Sequence, residues 1–264
     1  MGAYGLPGPD ERGIKSSIPP DWWRDFFGPD YILMYASDLT RERSALEVDC
    51  AVRALNLRSG EIALDLCCGF GRHLPWLRAR GIVTVGVERS PFQLGLAKSS
   101  HPAEEPVRLL KADARLLPFG PVFDAVLCFY TSMGYFSDDE NLLQLMEAGR
   151  VVKPGARIYI DNQNPPHILR RLKAERRIEN AQSRLEIGEE FEYDPEERRI
   201  YGRKTVRTGE ESREHYFVMR DCRVNELTQL LEQAGFEPQS AFGDYDLSPY
   251  GPDTPRLILC ARKR

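Results

Sequence analysis

Residues 61–73, with the sequence EIALDLCCGFGRH, combine a short apolar strand with a tight glycine turn. Gly69 and Gly71 allow a chain that leaves a parallel strand to turn into a helix, and they let a ligand approach the backbone. Glu88 follows 17 residues after Gly71, at the end of a second apolar run, where its carboxylate can accept hydrogen bonds from ribose hydroxyls. The spacing is typical of a nucleoside-binding site in an α/β protein, although an ordinary tight turn also accounts for two glycines.

Two later segments place polar and aromatic residues at the ends of further predicted strands. Asp113 and Ala114 follow a third strand, where a short side chain and the backbone can meet the edge of an adenine. A fourth strand ends in the aromatic and hydroxyl-rich run FYTSMGY, residues 129–135. Because open α/β sheets bind ligands at the carboxyl ends of their parallel strands, the four strand ends predict one shared ligand site.

A nicotinamide dinucleotide is the rival cofactor for such a turn. Its fingerprint needs a third glycine three residues after the second, and this chain has Leu74 there, which argues against a pyrophosphate ligand. Asp65 lies inside the first strand, and a carboxylate at that position suits a cationic cofactor better than a dianionic one. We therefore favour a nucleoside cofactor that carries positive charge.

The composition argues against several classes of function. The chain has 264 residues and a net charge of −4, so it offers no overall basic field and we expect no nucleic acid as a partner. Its six cysteines lack the C-x-x-C spacing of a zinc or redox site, and its four histidines are scattered, so we expect no metal site. No apolar run approaches the roughly 18 residues of a membrane span. We expect a cytoplasmic protein.

Residues 1–55 are expected to form an N-terminal tail and a helical lid. Residues 1–20 contain four prolines and no apolar period, so we expect a mobile or draped tail there. An aromatic-rich stretch follows, and apolar spacing then predicts a helix over residues 41–55. This segment either packs on the sheet or covers a ligand, and the sequence supports both readings equally.

The rest of the chain predicts one α/β domain with an insertion. Short apolar strands alternate with helices over residues 56–164 and return over residues 223–264, which predicts a mostly parallel sheet with helices on both faces. Residues 165–222 interrupt this alternation with a basic helix-like run, HILRRLKAERR, and three alternating stretches. These stretches predict an inserted antiparallel β-meander.

The motifs together resemble those of class I S-adenosylmethionine-dependent methyltransferases over nearly the whole chain. The matching segments are LDLCCGFGRH, VGVERSPFQLGLAKS, KADARLLPF and VVKPGARIYID. The opening WWRDFFGPDYILMYA and the ending GDYDLSPYGPDTPRLILCARK are similar to a subgroup of small-molecule methyltransferases with a β-meander insertion. The resemblance implies a Rossmann-like, seven-stranded sheet whose last strand is antiparallel, S-adenosyl-L-methionine as the cofactor, and a small-molecule methyl acceptor.

The resemblance also assigns roles to individual residues. The expected cofactor-binding residues are Asp65, Cys67, Gly69 and Gly71 at the methionine part, Phe129 and Tyr130 below the sulfonium, Glu88 with Arg89 at the ribose, Asp113 with Ala114 at the adenine, and Tyr35 in the lid. Arg89 stands where the family often has a smaller or apolar residue, so it either packs on adenine or points outward.

Methyl transfer from a sulfonium is an in-line displacement, in which the protein mainly aligns donor and acceptor. We therefore expect no catalytic triad, and a base only if the acceptor arrives protonated or is a hydroxyl. The expected catalytic residues are Tyr130 and Tyr135 after the fourth strand and Tyr250 in the proline-rich loop 248–255. Further candidates for the rim of the pocket are Thr131, Asp161, Asn162, Asn164 and Tyr245.

A second function fits the same sequence, namely a protein that binds S-adenosylmethionine or S-adenosylhomocysteine without turnover and uses its insertion for a protein partner. In an enzyme, the insertion would instead shape the acceptor site or a homodimer interface. A buried pocket beside the sulfonium favours the enzyme, and a filled or flat surface favours the binding protein.

Overall fold

Two β-sheets make up the framework of the protein, and the computed structural model describes residues 13–100, 108–171, 176–180 and 185–264. The strands are β1 (Ile62–Leu66), β2 (Val83–Glu88), β3 (Arg108–Lys111), β4 (Phe123–Cys128), β5 (Val152–Gln163), β6 (Arg176–Asn180), β7 (Leu185–Asp194), β8 (Arg199–Thr208), β9 (Glu211–Arg220), β10 (Phe236–Phe242) and β11 (Arg256–Lys263). The first five strands and the last two form the main sheet.

Side-chain caps mark the start of two of the longer helices. Thr40 Oγ1 accepts from the Arg43 amide at 3.1 Å at the start of the helix over residues 41–55, and Ser137 and Glu140 form a capping box at the helix that follows β4. The helices are α1 (Ile14–Ser17), α2 (Trp23–Phe26), α3 (Pro29–Met34), α4 (Arg41–Leu55), α5 (Leu74–Ala79), α6 (Pro91–Ser100), α7 (Asp138–Arg150), α8 (Pro165–Arg171) and α9 (Val224–Gln233).

The main sheet has the strand order β10-β11-β5-β4-β1-β2-β3. β1 pairs in parallel with β2 and β4, in a register that sets Asp65 opposite Gly86 and Leu127. β11 runs antiparallel to its neighbours β5 and β10. The expected Rossmann-like sheet with an antiparallel last strand is confirmed. Because the carboxyl ends of β1 to β4 share one edge of this sheet, that edge is where a ligand site is expected.

Successive residues of β1 face opposite layers of helices. Leu64 and Leu66 are fully buried in a cluster that also contains Leu145 of α7 and Leu231 of α9. Ala63 belongs to a different cluster, with α4 and α5. Complete burial of a leucine side chain stabilises the fold by about 1.5–3 kcal/mol. Packing on both faces therefore fixes β1, and with it the glycine turn that follows.

The second sheet, called the meander below, has the order β6-β7-β8-β9 and is antiparallel. It lies within residues 165–222, the expected insertion, and β7, β8 and β9 fall where alternation predicts them. The helical expectation for HILRRLKAERR is wrong at its end, because residues 176–180 pair with β7 as β6. Pairing with an open strand edge outweighs helix propensity here. Residues 172–175, in the middle of this run, lie outside the described part.

Residues 22–35, called the lid below, connect the two sheets through α2 and α3. One apolar cluster joins the lid to the meander, and its buried members are Trp22, Phe26, Met34, Ile187, Ile200, Val206, Phe217 and Met219. Upstream, α1 packs on the meander, where Lys15 Nζ lies 2.6 Å from Asp194 Oδ2. Most of the expected mobile tail, residues 1–12, lies outside the described residues.

Among the helices of the described ranges, none is both long and apolar enough to cross a membrane.

Candidate functional site

A cavity of about 410 Å³ opens at the carboxyl ends of the parallel strands. Its volume falls in the range of small-molecule binding sites. The residues predicted from sequence that line it are Cys67, Gly69, Glu88, Arg89, Asp113, Ala114, Phe129, Tyr130 and Tyr135. The lid contributes Trp23, Arg24, Phe27 and Tyr31 to the same lining. One cavity thus collects the strand ends that the sequence analysis singled out and covers them with the lid.

The glycine turn after β1 is left-handed at alternate residues. Cys67, Gly69 and Gly71 have φ angles of 62°, 56° and 74°. A residue other than glycine adopts this conformation at a cost of about 1–3 kcal/mol, so the turn is strained at Cys67. β2 packs closely against the turn, because a Cβ on Gly86 would lie 2.7 Å from the Cys68 Sγ. The backbone of the turn is therefore held in a fixed position beside the cavity.

Glu88 ends β2, and three backbone amides hold its carboxylate. Oε2 accepts from the Gly69 amide at 3.0 Å, and Oε1 accepts from the amides of Arg89 and Ser90, both at 2.7 Å. Burial raises the pKa of the Glu88 carboxyl, and these amide hydrogen bonds oppose the rise. A carboxylate has about four acceptor positions, so Oε2 keeps capacity for a ligand hydroxyl.

Arg89 joins the lid to the end of β3. Its guanidinium carbon lies 3.4 Å from the centroid of the Trp23 ring, and its Nη1 lies 3.3 Å from Asp113 Oδ2. Asp113 also pairs with Arg115 Nη2 at 2.7 Å, and the hydrogen bonds from Arg115 hold the pKa of Asp113 below its ordinary value. Arg89 therefore stacks on the lid while it also lines the cavity.

Four ionisable side chains meet beside the glycine turn. Glu47, fully buried on α4, accepts from Arg72 Nη1 at 2.6 Å and from His73 Nε2 at 2.8 Å. His73 Nδ1 lies 3.9 Å from Asp65 Oδ2. Because an ionised carboxylate can only accept hydrogen bonds, the contact with Glu47 places the proton of a neutral His73 on Nε2.

Burial decides the charges in this cluster. It raises the pKa of Asp65 to about 8 and lowers that of His73 to about 4. Burial also opposes ionisation of Glu47, but the hydrogen bonds and charges of His73 and Arg72 outweigh it and lower the pKa of Glu47 to about 2. Neither oxygen of Asp65 makes a hydrogen bond with the described residues. A buried carboxyl without a partner costs stability.

The segment after β4 is held in an unusual conformation. Tyr130 and Thr131 have φ angles of 52° and 63° although neither is glycine. Asp161 holds both residues: its Oδ2 accepts from the Tyr130 amide at 3.0 Å, and its carbonyl accepts from the Thr131 amide at 2.7 Å. Asp161 in turn accepts from Arg256 Nε at 2.7 Å and from the Tyr245 hydroxyl at 2.9 Å. Asp161 and Tyr245, expected at the rim, are thus buried supports of the turn.

The turn directs an aromatic patch into the cavity. Phe129 stacks on His73, with ring centroids 4.0 Å apart, and Tyr130 and Tyr135 line the cavity beyond it. Burial raises the pKa of both tyrosine hydroxyls well above the ordinary value. These hydroxyls therefore stay protonated at neutral pH and can orient a ligand, but they cannot serve as bases.

Tyr250 does not reach the cavity, which corrects its expected catalytic position. Its hydroxyl donates to Asn164 Oδ1 at 3.2 Å, and its ring packs on the core of the main sheet. Asn164 is itself buried and its amide donates to the carbonyls of Gly251 and Thr254. These bonds fold the proline-rich loop onto the end of β5 and keep it out of the site.

Three expected cofactor-binding residues also lie outside the cavity lining: Asp65, Gly71 and Tyr35. Asp65, in β1, and Gly71, in the turn, are both buried. The Tyr35 ring contacts Tyr31, with centroids 4.8 Å apart, and the Lys204 ammonium of the meander, 4.1 Å from its centroid. Tyr35 therefore fastens the lid to the meander.

The cavity also contains residues that were not among the expected site residues. Those from the lid are Trp23, Arg24, Phe27 and Tyr31, and those after the glycine turn are Arg72 and His73. The aromatic-rich stretch gave a signal for the lid residues, although packing on the sheet explained it equally well. Arg72 and His73 gave a weaker signal, as two polar residues that directly follow Gly71 and open a helix.

Comparison with known proteins agrees with this geometry. Residues 63–155 match a family described as a methyltransferase domain. A glycine/sarcosine N-methyltransferase of Parasynechococcus marenigrum is 25% identical over 215 residues, which are 80% of this chain and 75% of that protein. The structure of the CcbJ methyltransferase from Streptomyces caelestis superposes with a TM-score of 0.76 at 18% identity and covers 90% of this chain and 97% of its own.

A further solved structure contains the cofactor that the cavity suits. It is the S-adenosylmethionine-bound CalS10, an amino pentose methyltransferase from Micromonospora echinaspora, with a TM-score of 0.63 and 20% identity. The alignment covers 88% of this chain and 97% of CalS10. At this identity, the likeness establishes a shared fold.

Proposed function

Because the chain is a class I S-adenosylmethionine-dependent methyltransferase, we propose that it methylates a small molecule that carries an amino group. The observation that carries the proposal is a lid-covered cavity whose lining includes both Glu88 and the tyrosines Tyr130 and Tyr135. Its limited volume suits a cofactor and a small acceptor rather than a macromolecule.

Residues along the cavity have the chemistry to hold the cofactor, which supplies an electrophilic methyl group. Oε2 of Glu88 would accept a hydrogen bond from a ribose hydroxyl, and Asp113 with Ala114 would meet the adenine edge. Asp65 lies outside the cavity lining, so the part of the turn that faces the ligand is Cys67, Cys68 and Gly69. Phe129 and Tyr130 present aromatic faces, which attract a sulfonium cation.

The aromatic end favours an acceptor that needs no base. Tyr130 and Tyr135 stay protonated because burial raises the pKa of their hydroxyls. His73 uses its Nε2 to bind Glu47, and Nδ1 faces Asp65. An amine that enters neutral already has the lone pair for an in-line displacement, so alignment by the cavity walls suffices.

The names of related proteins support the same acceptor class. The relative from Parasynechococcus marenigrum is a glycine/sarcosine N-methyltransferase, and CalS10 is an amino pentose methyltransferase. Both names describe acceptors that are small and carry nitrogen. We therefore place amino acids and amino sugars first among the acceptors to test.

The test measures S-adenosylhomocysteine formation from S-adenosylmethionine with pools of amino acids, amino sugars and amine-free alcohols of matched size. We expect an amine pool to raise the rate above the acceptor-free background, and we expect the rate to increase with pH as the acceptor amine loses its proton. Glu88→Gln should reduce the rate at low cofactor concentration. Binding of S-adenosylhomocysteine without acceleration by any pool would refute the proposal and support a binding protein without turnover.

A further inference from the structure

The end of β2 contacts the cavity and the lid at once. Glu88 lines the cavity, and its Oε1 accepts from the Ser90 amide at 2.7 Å. The Ser90 hydroxyl donates to the carbonyl of Phe27 in the lid at 3.2 Å. Between them, the guanidinium carbon of Arg89 lies 3.4 Å from the ring centroid of Trp23, also in the lid. Three consecutive residues therefore hold both the carboxylate at the cavity and the segment that covers it.

Gln93, in the first turn of α6, completes this contact. It is 1% exposed and lines the cavity, and its Nε2 donates to the same Phe27 carbonyl at 3.1 Å. Its backbone amide donates to Ser90 Oγ at 3.3 Å, so the Ser90 hydroxyl joins the helix to the lid. A carbonyl oxygen has two lone pairs, and these two side chains occupy both. Ser90, Gln93 and the Phe27 carbonyl are called the latch below.

The rest of the lid is bound to the meander by stronger contacts. Asp30 of α3 is 7% exposed, and it accepts from Arg213 Nε at 2.7 Å and from Arg213 Nη2 at 3.0 Å. Its Oδ2 also lies 2.7 Å from His215 Nε2. Charge-assisted hydrogen bonds of this kind are about twice as strong as the neutral bonds of the latch. The apolar cluster that joins the lid to the meander adds to them.

The contacts at the two boundaries of the lid favour opening at the latch. Lids close over ligands and open to exchange them, and local opening is easiest where few and weak contacts have to break. Opening at the latch breaks two neutral hydrogen bonds and the stacking of Arg89 on Trp23. Opening at the meander would expose the buried side chains of Phe26 and Met34 and separate Asp30 from its cation.

We propose that Ser90 and Gln93 are positioning residues that hold the lid closed over the cofactor, and that the lid parts from α6 at the Phe27 carbonyl when the cofactor or its product is exchanged. The lid stays on the meander during this movement. Because the latch consists of protein groups alone, it closes the free and the occupied protein alike. Weakening it therefore raises the population of the open lid equally in both states, which leaves the affinity unchanged. The proposal concerns cofactor exchange and rests on no particular acceptor.

The test measures the association and dissociation rate constants of S-adenosylhomocysteine by stopped-flow tryptophan fluorescence, to which Trp23 in the cavity lining contributes. The variants are Ser90→Ala, Gln93→Met and the double variant. Methionine keeps the length of Gln93 but cannot donate, and the backbone bond to Ser90 Oγ remains, so Gln93→Met decides the matter if Ser90→Ala disturbs α6. Ser99→Ala is the matched control, because the exposed Ser99 hydroxyl donates to the Leu96 carbonyl within the same helix.

Loss of one neutral hydrogen bond shifts an equilibrium by about two- to tenfold. We expect each single variant to raise both rate constants by about this factor, and the double variant to raise them further. The dissociation constant should stay within about twofold of that of the wild type. Ser99→Ala should leave both rate constants unchanged.

Two results would overturn the proposal. Faster dissociation with an unchanged association rate would mean that the two side chains contact the ligand rather than hold the lid. Unchanged rate constants, with or without a lower melting temperature, would mean that the latch only supports the fold and that the cofactor passes by another route. Methyl transfer plays no part in these measurements, so failure of the proposed amine methylation is recognised separately.

Discussion

We predict that replacing Asp65 with asparagine stabilises the ligand-free protein at alkaline pH. The carboxyl is 1% exposed, and neither oxygen makes a hydrogen bond with the described residues. Burial raises its pKa from the ordinary 3.8 to about 8, so folding takes up a proton between these pH values. The contribution of Asp65 to stability is therefore complete below pH 4, declines as the pH rises from 4 to 8, and is constant above.

The size of the effect follows from the shift. Each pKa unit corresponds to about 1.36 kcal/mol, so a shift of about four units gives a ceiling of about 6 kcal/mol above pH 8. Asp65→Asn removes this penalty because an amide does not ionise. The new amide donors lack partners, at a cost of about 1–3 kcal/mol. We expect Asp65→Asn to be more stable than the wild type by about 3–5 kcal/mol at pH 9, and slightly less stable at pH 4.5.

The assay is thermal unfolding of both ligand-free proteins between pH 4.5 and pH 9. At roughly 2–4 °C per kcal/mol, the melting temperature of Asp65→Asn should exceed that of the wild type by roughly 6–20 °C at pH 9. Asp139→Asn, at an exposed position of α7, is the control and should follow the wild type within about 0.5 kcal/mol throughout. A difference that does not change with pH, or an Asp65→Asn protein that is less stable at pH 9, would refute the reasoning.

Three further substitutions test other parts of the site. Glu88→Gln should weaken the binding of S-adenosylhomocysteine and of 5′-methylthioadenosine alike, by about tenfold in calorimetry, because a charge-assisted hydrogen bond to the nucleoside is lost. A loss of affinity confined to one of the two ligands would contradict this role. Trp23→Ala removes the ring that stacks on Arg89, so S-adenosylhomocysteine should dissociate several-fold faster in stopped-flow fluorescence, and an unchanged rate would exclude a covering role for the lid. Asp161→Asn leaves buried Arg256 without a carboxylate partner, and urea unfolding should show a loss of about 3–5 kcal/mol; a loss below 1 kcal/mol would mean that Arg256 finds another partner.

The strand ends could be predicted because their chemistry is local in the sequence. Two glycines after β1 and an acid after β2 meet across neighbouring parallel strands, so Gly69 and Glu88 form a hydrogen bond although they are 19 residues apart. The alternation of strands and helices gives the order of the elements and the place of the insertion. Parallel pairing then brings the carboxyl ends of the predicted strands to one edge of the sheet, so the location of the site follows from the strand order alone.

The side chains that complete the site depend on partners far along the chain, which spacing does not reveal. His73 is oriented by Glu47, 26 residues earlier, and a helix start shows no sign of that contact. Tyr250 has the type and the position of a pocket residue, but Asn164 captures its hydroxyl from 86 residues away. Arg89 stacks on Trp23 of a segment that could equally have packed elsewhere. Tertiary packing selects among such alternatives.

The lid is attached more firmly to the meander than to the start of α6. Three of its apolar side chains are buried in the cluster shared with the meander, and burial of such side chains contributes about 1.5–3 kcal/mol each. Toward α6, the Phe27 carbonyl accepts from Ser90 Oγ at 3.2 Å and from Gln93 Nε2 at 3.1 Å, and such bonds contribute about 0.5–1.5 kcal/mol each. The stacking of Arg89 on Trp23 adds about 0.5–2 kcal/mol. The weaker contact of the lid is therefore the one with the start of α6, beside the strand end that carries Glu88. The inserted meander thus supports the lid over the cavity, while the strand ends of the main sheet line the cavity below it.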